Sequence, residues 1–217
     1  MIWDWAYAWS CLPALLDAAR ITVLAALGGG ALAAVLGLAW ALACDAPGLR
    51  LPARAGLQLV RNTPLLVQLY LLYYGLPHLG LSPGPLAIGV AGLGLHYASY
   101  AAEVYRAGLG SVPVGQDEAA RTLGLSSWQR FIRVRLPQAI PPVLPALGSL
   151  LVALFKETPV LAAITVIELL GQAKLLGAES FRYIEPMTLV GAIFLVVSLS
   201  AALPLAWLER RLNRKPA

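Results

Sequence analysis

Glu118-Ala119-Ala120-Arg121-Thr122-Leu123-Gly124, with Val134-Arg135-Leu136-Pro137 further on, forms a polar, basic island in an otherwise apolar chain. An island of this kind belongs in water, because a charge at the centre of a bilayer helix costs about 2.5–3.5 kcal/mol. Ala119 and Ala120 carry no bulk beyond Cβ, so a partner can approach the helix backbone closely, and Gly124 can take the positive φ of a tight turn. The segment reads as helix, turn, helix. Ser126 or Ser127 suits the N-cap of the second helix, and Glu118 the first turn of the first, where a carboxylate complements the helix dipole. Arg121, Arg130, Arg133 and Arg135 alternate with Leu123, Trp128, Phe131 and Ile132, a pattern that also suits a basic helix lying on a membrane surface. Such a helix has no use for the Ala pair, the internal Gly and the Leu-Pro exit together.

Hydrophobic residues make up 59% of the chain and charged residues only 12%, with mean hydropathy +0.73. Soluble domains carry about 25% charge, so an all-α integral membrane protein is expected. The 217 residues suit one transmembrane domain, 1–217. They leave no room for an added catalytic domain of roughly 100–150 residues. No G-x4-G-K-[ST] occurs, and none of Lys156, Lys174 and Lys215 follows a glycine. ATP and its Mg are therefore expected on a separate subunit, with no cofactor in this chain. No nucleophile has a His and an acid in motif spacing, so an enzyme is not expected. His78 and His96 lack metal-ligand companions, and Cys11 and Cys44 lack metal or redox spacing. No metal site is expected. The net charge of +5 is dispersed between apolar runs, which argues against nucleic acid. Trp3, Trp5, Tyr7 and Trp9, with no basic residue among them, resemble an interfacial anchor more than a cleavable signal.

A spanning helix needs about 20 mostly apolar residues. Five candidates fit: 20–43, 57–76, 86–108, 138–163 and 187–208. Arg50, Arg54, Arg106, Arg121, Arg130, Arg133, Arg135, Arg210, Arg211, Arg214 and Lys215 fall on one set of sides, against Arg20, Lys174 and Arg182 on the other. Cytoplasmic loops hold the excess of Lys and Arg, so the N-terminus is expected outside and the C-terminus inside. The long connection 109–137 then faces the cytoplasm. The connection 165–186, with Glu168, Lys174, Glu179, Arg182 and Glu185, reads equally as a short gating or receptor-contacting helix or as a solvated loop.

The pattern E-A-A-x3-G-x9-[IV]-x-L-P resembles the cytoplasmic docking loop of the membrane subunits of bacterial ABC importers. Arg61-Asn62-Thr63-Pro64-Leu65-Leu66-Val67-Gln68, Tyr73-Tyr74-Gly75-Leu76-Pro77, Ala102-Glu103-Val104-Tyr105-Arg106, Lys156-Glu157-Thr158 and Leu208-Glu209-Arg210-Arg211-Leu212 resemble the polar amino-acid uptake branch of those permeases. Asn62 stands where that branch commonly has Gly, and Glu157 and Pro159 stand where it has Asp and Ser. The run 156–170, with Phe181-Arg182-Tyr183-Ile184-Glu185-Pro186, looks most like permeases for ectoine and hydroxyectoine. The resemblance implies a type I ABC importer permease fold in the bacterial inner membrane, with about five spans. It implies a pore of two permease subunits, alike or different, surrounded by lipid. Two ABC ATPase subunits would couple through Glu118, Ala119, Ala120, Arg121 and Gly124, and an extracytoplasmic binding protein would deliver the solute. A stand-alone secondary transporter or a membrane enzyme is the alternative, although no internal duplication supports the former.

Arg61, Lys156 and Glu157 sit in or at the edge of candidate spans, where charges are retained for a reason. Adjacent helical residues do not face each other, so Arg61 is the sign-matched partner for Glu157. Pro159 has no N–H to give the Phe155 carbonyl and is expected to break the fourth span beside Glu157 and Thr158. Broken backbone at membrane depth lines cavities in many transporters. Arg61, Thr63, Gln68, Glu157 and Thr158 are thus candidates for the solute pathway, with a structural ion pair at a packing kink as the other reading.

Overall fold

The computed structural model describes residues 3–212, and no strand occurs among them. Helix α1, Trp5–Asp45, is capped by Asp4, whose carboxylate accepts the amides of Ala6 at 2.9 Å and Tyr7 at 3.2 Å. Its 41 residues extend about 60 Å, twice the roughly 30 Å hydrocarbon core. The helix begins well before residue 20 because Asp17 and Arg20, which look like a boundary in the sequence, pair with each other one turn apart at 3.2 Å on an exposed face.

The candidate span 57–76 is not continuous. It splits into α2, Arg50–Asn62, and α3, Leu65–Gly75, which tightens to a 3₁₀ turn at Leu76–Leu79. Pro64 drives Thr63 out of the helical region, to φ −99° and ψ 128°. Helix α4, Pro85–Gly110, matches the third candidate span to within a few residues. After it come α5, Val114–Thr122, and α6, Ser127–Arg130. A π-helical stretch, Phe131–Arg135, leads without a break into α7, Leu136–Glu157. The chain then runs through a 3₁₀ segment, Thr158–Ile164, to α8, Leu169–Ser180, and α9, Ile184–Leu212.

Three helical stretches among the described residues are long and apolar enough to cross a membrane: Trp5–Asp45, Ser127–Ile164 and Ile184–Trp207. Helix α4 is long enough but more polar, because it is the centre of the bundle and turns His96, Tyr97 and Ser99 inward. Small residues let α1 lie directly on it. A Cβ at Gly37 would come within 2.7 Å of the Ala101 Cβ and 3.1 Å of the Ala98 carbonyl, the close backbone approach that small residues permit between membrane helices. Gly29 meets Leu93 in the same way and Gly30 meets Leu151, so Gly28-Gly29-Gly30 is a packing element.

The connection 165–186 is folded, which removes the solvated-loop reading. Glu168 is fully buried and caps α8, accepting from Leu170 N at 3.0 Å and Gly171 N at 2.8 Å, while Leu169 N donates to Thr22 Oγ1 of α1 at 3.0 Å. Beyond α8, Arg182 bridges Asp4 at 3.0 Å and Glu185 at 2.5 Å, and Tyr7 bonds Ser180. This polar corner ties the start of α1 to α8 and α9. The opposite end of α1 lies against α4 and α2, through Asp45–Arg106 at 3.9 Å and Trp40 Nε1 donating to the Ala53 carbonyl at 2.9 Å. Arg50, Arg54 and Arg106 belong to that second end. Arg214 and Lys215 lie outside the described residues, and the side chain of Arg211 is not described.

Candidate functional sites: an exposed docking element and a broken helix

Residues 114–135 hold themselves in shape. Gly124 takes φ +75°, and its N–H donates to the Arg121 carbonyl at 3.0 Å while Leu125 N donates to Ala120 O at 3.2 Å. These paired bonds close α5 in a Schellman motif, which needs the left-handed residue that glycine supplies without strain. Ser126 caps α6 in a full capping box with Gln129. Asp117 pairs with Arg130 at 3.3 Å and braces the two helices against each other. Asp117, not Glu118, occupies the first turn of α5. The Asp117–Arg130 brace carries no local sequence signature and comes to light only in the fold.

Glu118, Ala119, Arg121 and Gly124 are exposed, together with Val114 (73%), Leu123 (79%) and Trp128 (68%). Ala120 is not: it is 4% exposed and turned into the protein. The alanine pair therefore divides its roles. Ala119 leaves an open patch, while Ala120 lets α5 pack on the π-helical stretch Phe131–Arg135. Gly108, just before the element, packs within 2.7 Å of the Ala139 carbonyl for a built Cβ, so the helices entering and leaving it are joined at the root.

The second region is the break after Glu157. The Phe155 carbonyl is not left orphaned by Pro159: it accepts both the backbone N–H of Thr158 and the Thr158 hydroxyl, the latter at 2.7 Å. Thr158 is fully buried, so its hydroxyl belongs to the backbone and not to a solute. Past the 3₁₀ segment, Thr165 sits at φ 67° and its hydroxyl meets Tyr73 of α3 at 3.2 Å. Lys156 and Glu157 are both exposed, pointing away from each other as neighbours on a helix do. Lys156 lines a groove of about 360 Å³ between α7 and α9 with Ser149, Pro145 and Leu205. Glu157 lies on the α4 side, close enough for its charge to act on His96 and Tyr97.

Arg61 does not pair with Glu157. Its guanidinium lies 3.6 Å from Glu103 and 5.2 Å above the Tyr100 ring, because the break at Pro64 turns the end of α2 onto α4. Gln68 is equally committed. Its amide nitrogen donates to the carbonyls of Val60 at 2.7 Å and Thr63 at 2.9 Å, beside His96 Nδ1 at 3.1 Å. The Thr63 hydroxyl bonds Leu59 O at 2.7 Å. Of the five residues expected along a pathway, Arg61, Thr63 and Gln68 hold the α2–α3 corner, Thr158 closes α7, and Glu157 presents an exposed carboxylate beside Tyr97 of α4. Sequence spacing could have pointed to Tyr100 and Glu103: with His96 they stand at i, i+4 and i+7, one face of α4.

The chain matches the model of the family described as binding-protein-dependent transport system inner membrane components over residues 33–214. It is 41% identical over 202 residues to a probable amino-acid ABC transporter permease of Sinorhizobium fredii, y4tG, covering 91% of this chain and 86% of the relative. It is 36% identical over 231 residues to the octopine transport permease OccM of Rhizobium radiobacter, covering 99% and 94%. Among solved structures it matches an amino acid ABC transporter crystallised with histidines at TM-score 0.87 and 32% identity, over 97% of this chain and 100% of that one. The MetNI methionine transporter, at TM-score 0.71 and 20% identity over 98% of this chain and 100% of that one, shares the fold. The all-helical architecture is that of type I ABC importer permeases, and the protein is a transport subunit, not an enzyme. An exposed helix–turn–helix element on an apolar bundle, with a family match over most of the length, places this chain in the inner-membrane-component family of binding-protein-dependent transport systems.

Proposed function

We propose that this chain forms, with a second permease subunit, the pore of an ATP-driven importer for a polar amino acid or a related zwitterion, ectoine and hydroxyectoine included. One observation carries the proposal: the self-braced element at 114–135 holds Val114, Leu123 and Trp128 out in solvent beside Glu118 and Ala119. Exposed large apolar side chains grouped on a rigid support mark a protein interface. Its occupant is a separate ABC ATPase, which binds the ATP and Mg. The arginine-rich end faces the cytoplasm, the Asp4–Arg182 corner faces outward, and five spans cross a lipid bilayer between them. A binding protein delivers solute to the outward end. Relatives named for amino acids and octopine support that solute class.

Closure of the ATPases on ATP draws the docking elements of the two permeases together and switches the pore from inward-facing to outward-facing. On the solute side, Glu157 meets the cationic group of a zwitterion, since unpaired charge in such a cavity is heavily penalised. Reconstitution in proteoliposomes tests the reading. Hydrolysis and uptake should require the chain and the ATPase together; uptake by the chain alone down an ion gradient would overturn it. Orientation is tested separately: Ser127→Cys should react with an impermeant maleimide only after lysis, and Ser82→Cys in intact spheroplasts. The reverse order would invert the topology.

A further inference from the structure

The groups that grip the α2–α3 corner stand in a line on α4. His96 lies 3.1 Å from Gln68, whose amide clamps the carbonyls of Val60 and Thr63. Tyr100 lies next to His96, with ring centroids 5.3 Å apart, and offers its face to Arg61. Glu103 completes the line: one carboxylate oxygen faces Arg61 at 3.6 Å and the other accepts from Arg106 at 2.9 Å. Arg106 in turn faces Asp45 at the end of α1. Seven residues of helix separate His96 from Glu103, about 10 Å along α4. One end of this ladder is beside Glu157, whose charge reaches His96. Its other end lies two turns before Gly110, where α4 gives way to the docking element.

The geometry points to Glu103 and Arg61 as positioning residues that couple the docking element to the Glu157 region: Glu103, held between two arginines, locks the α2–α3 corner to α4. The inference rests on the importer reading above. A pull on α5 moves the end of α4, and the corner follows because Arg61 cannot leave Glu103 and the Tyr100 face together without stranding a charge in a half-buried site. Arg61 thereby serves the solute pathway without touching solute.

The test uses the full complex of permease and ATPase, with Ala163→Cys as an exposed reporter beside the break. Its rate of modification by N-ethylmaleimide is compared without nucleotide and with ATP plus vanadate. The otherwise unsubstituted complex should show a several-fold difference between the two states. Glu103→Gln should erase that difference while ATPase co-purifies in normal amount, Arg61→Gln should do the same, and the double variant should be no worse than either. A role confined to folding would lower assembly and leave the difference intact in whatever assembles. Should Glu103→Gln fail to assemble, Tyr100→Leu, which removes the ring beneath Arg61 and beside His96, should shrink the difference at least twofold. A full nucleotide-dependent difference in assembled Glu103→Gln, or in Tyr100→Leu, overturns the inference. No difference even in the unsubstituted complex overturns the importer reading, and the inference with it.

Discussion

The docking element and the break after Glu157 differ in where their parts come from. Everything that shapes residues 114–135 lies within that stretch: the glycine turn, the Ser126–Gln129 capping box and the Asp117–Arg130 pair. The break is assembled from α3, α4 and α7, whose contributions are far apart in sequence, such as Tyr73 to Thr165 and Tyr97 to Glu157. A surface for a large partner can be written in a contiguous stretch, since it needs exposure and local rigidity. A cavity for a small solute cannot, because its walls are brought together by helix packing.

The largest effect is expected at the exposed apolar side chains proposed to meet the ATPase. Trp128→Ala combined with Leu123→Ala should weaken ATPase association by at least ~2 kcal/mol, roughly thirtyfold, since buried aromatic anchors dominate such interfaces. The permease itself should fold and insert normally; unchanged co-purification would show that the exposed face is not the contact. Next comes Thr158→Val, which removes a buried hydroxyl from the Phe155 carbonyl and should cost about 1–3 kcal/mol of stability, read as a lowered melting temperature in detergent. Uptake per folded molecule should be preserved. Lost uptake at normal stability would return Thr158 to the solute pathway.

Gly124→Ala probes the bracing of the element. A β-carbon at φ +75° should cost about 1–2 kcal/mol, confined to the loop and read as a modest loss of ATPase affinity with no change in bundle melting. The smallest effect is at the Asp4–Arg182 corner, where the Tyr7 amide and then Arg182 hold the Asp4 carboxyl below the usual carboxylate range. A lowered folded-state pKa gives stability that is present above the ordinary carboxylate value and is lost as pH falls through the lowered one. Melting curves of the parent and of Asp4→Asn should therefore differ most near neutrality and converge in acid. A gap that widens on acidification would contradict the assigned partners.

The same contrast explains what the sequence disclosed. Gly124 and Ser126 act on their immediate neighbours, so spacing alone placed the turn and narrowed the cap to Ser126 or Ser127. Helix α4 and α9 were legible as apolar runs, whereas the start of α1 was not, because a one-turn Asp17–Arg20 pair looks like a boundary in a hydropathy reading. Pro64 was visible, but its effect on the second span depends on how α2 then folds back on α4. That fold-back gave Arg61 to Glu103 in place of Glu157. Ala120 and Ala119 are equivalent as letters; only the packing of α5 on the π-helical stretch makes one a buried contact and the other an open surface.

The most direct test of the account is site-specific photo-crosslinking in membranes containing the assembled transporter. A photoreactive residue at Leu123 or Ala119 should give adducts with the ATPase subunit. One at Ser82, exposed before the opposite end of α4, should give none. Adducts from Ser82, or none from either Leu123 or Ala119 in a transporter that is active, would contradict the claim that 114–135 is where this subunit receives its drive.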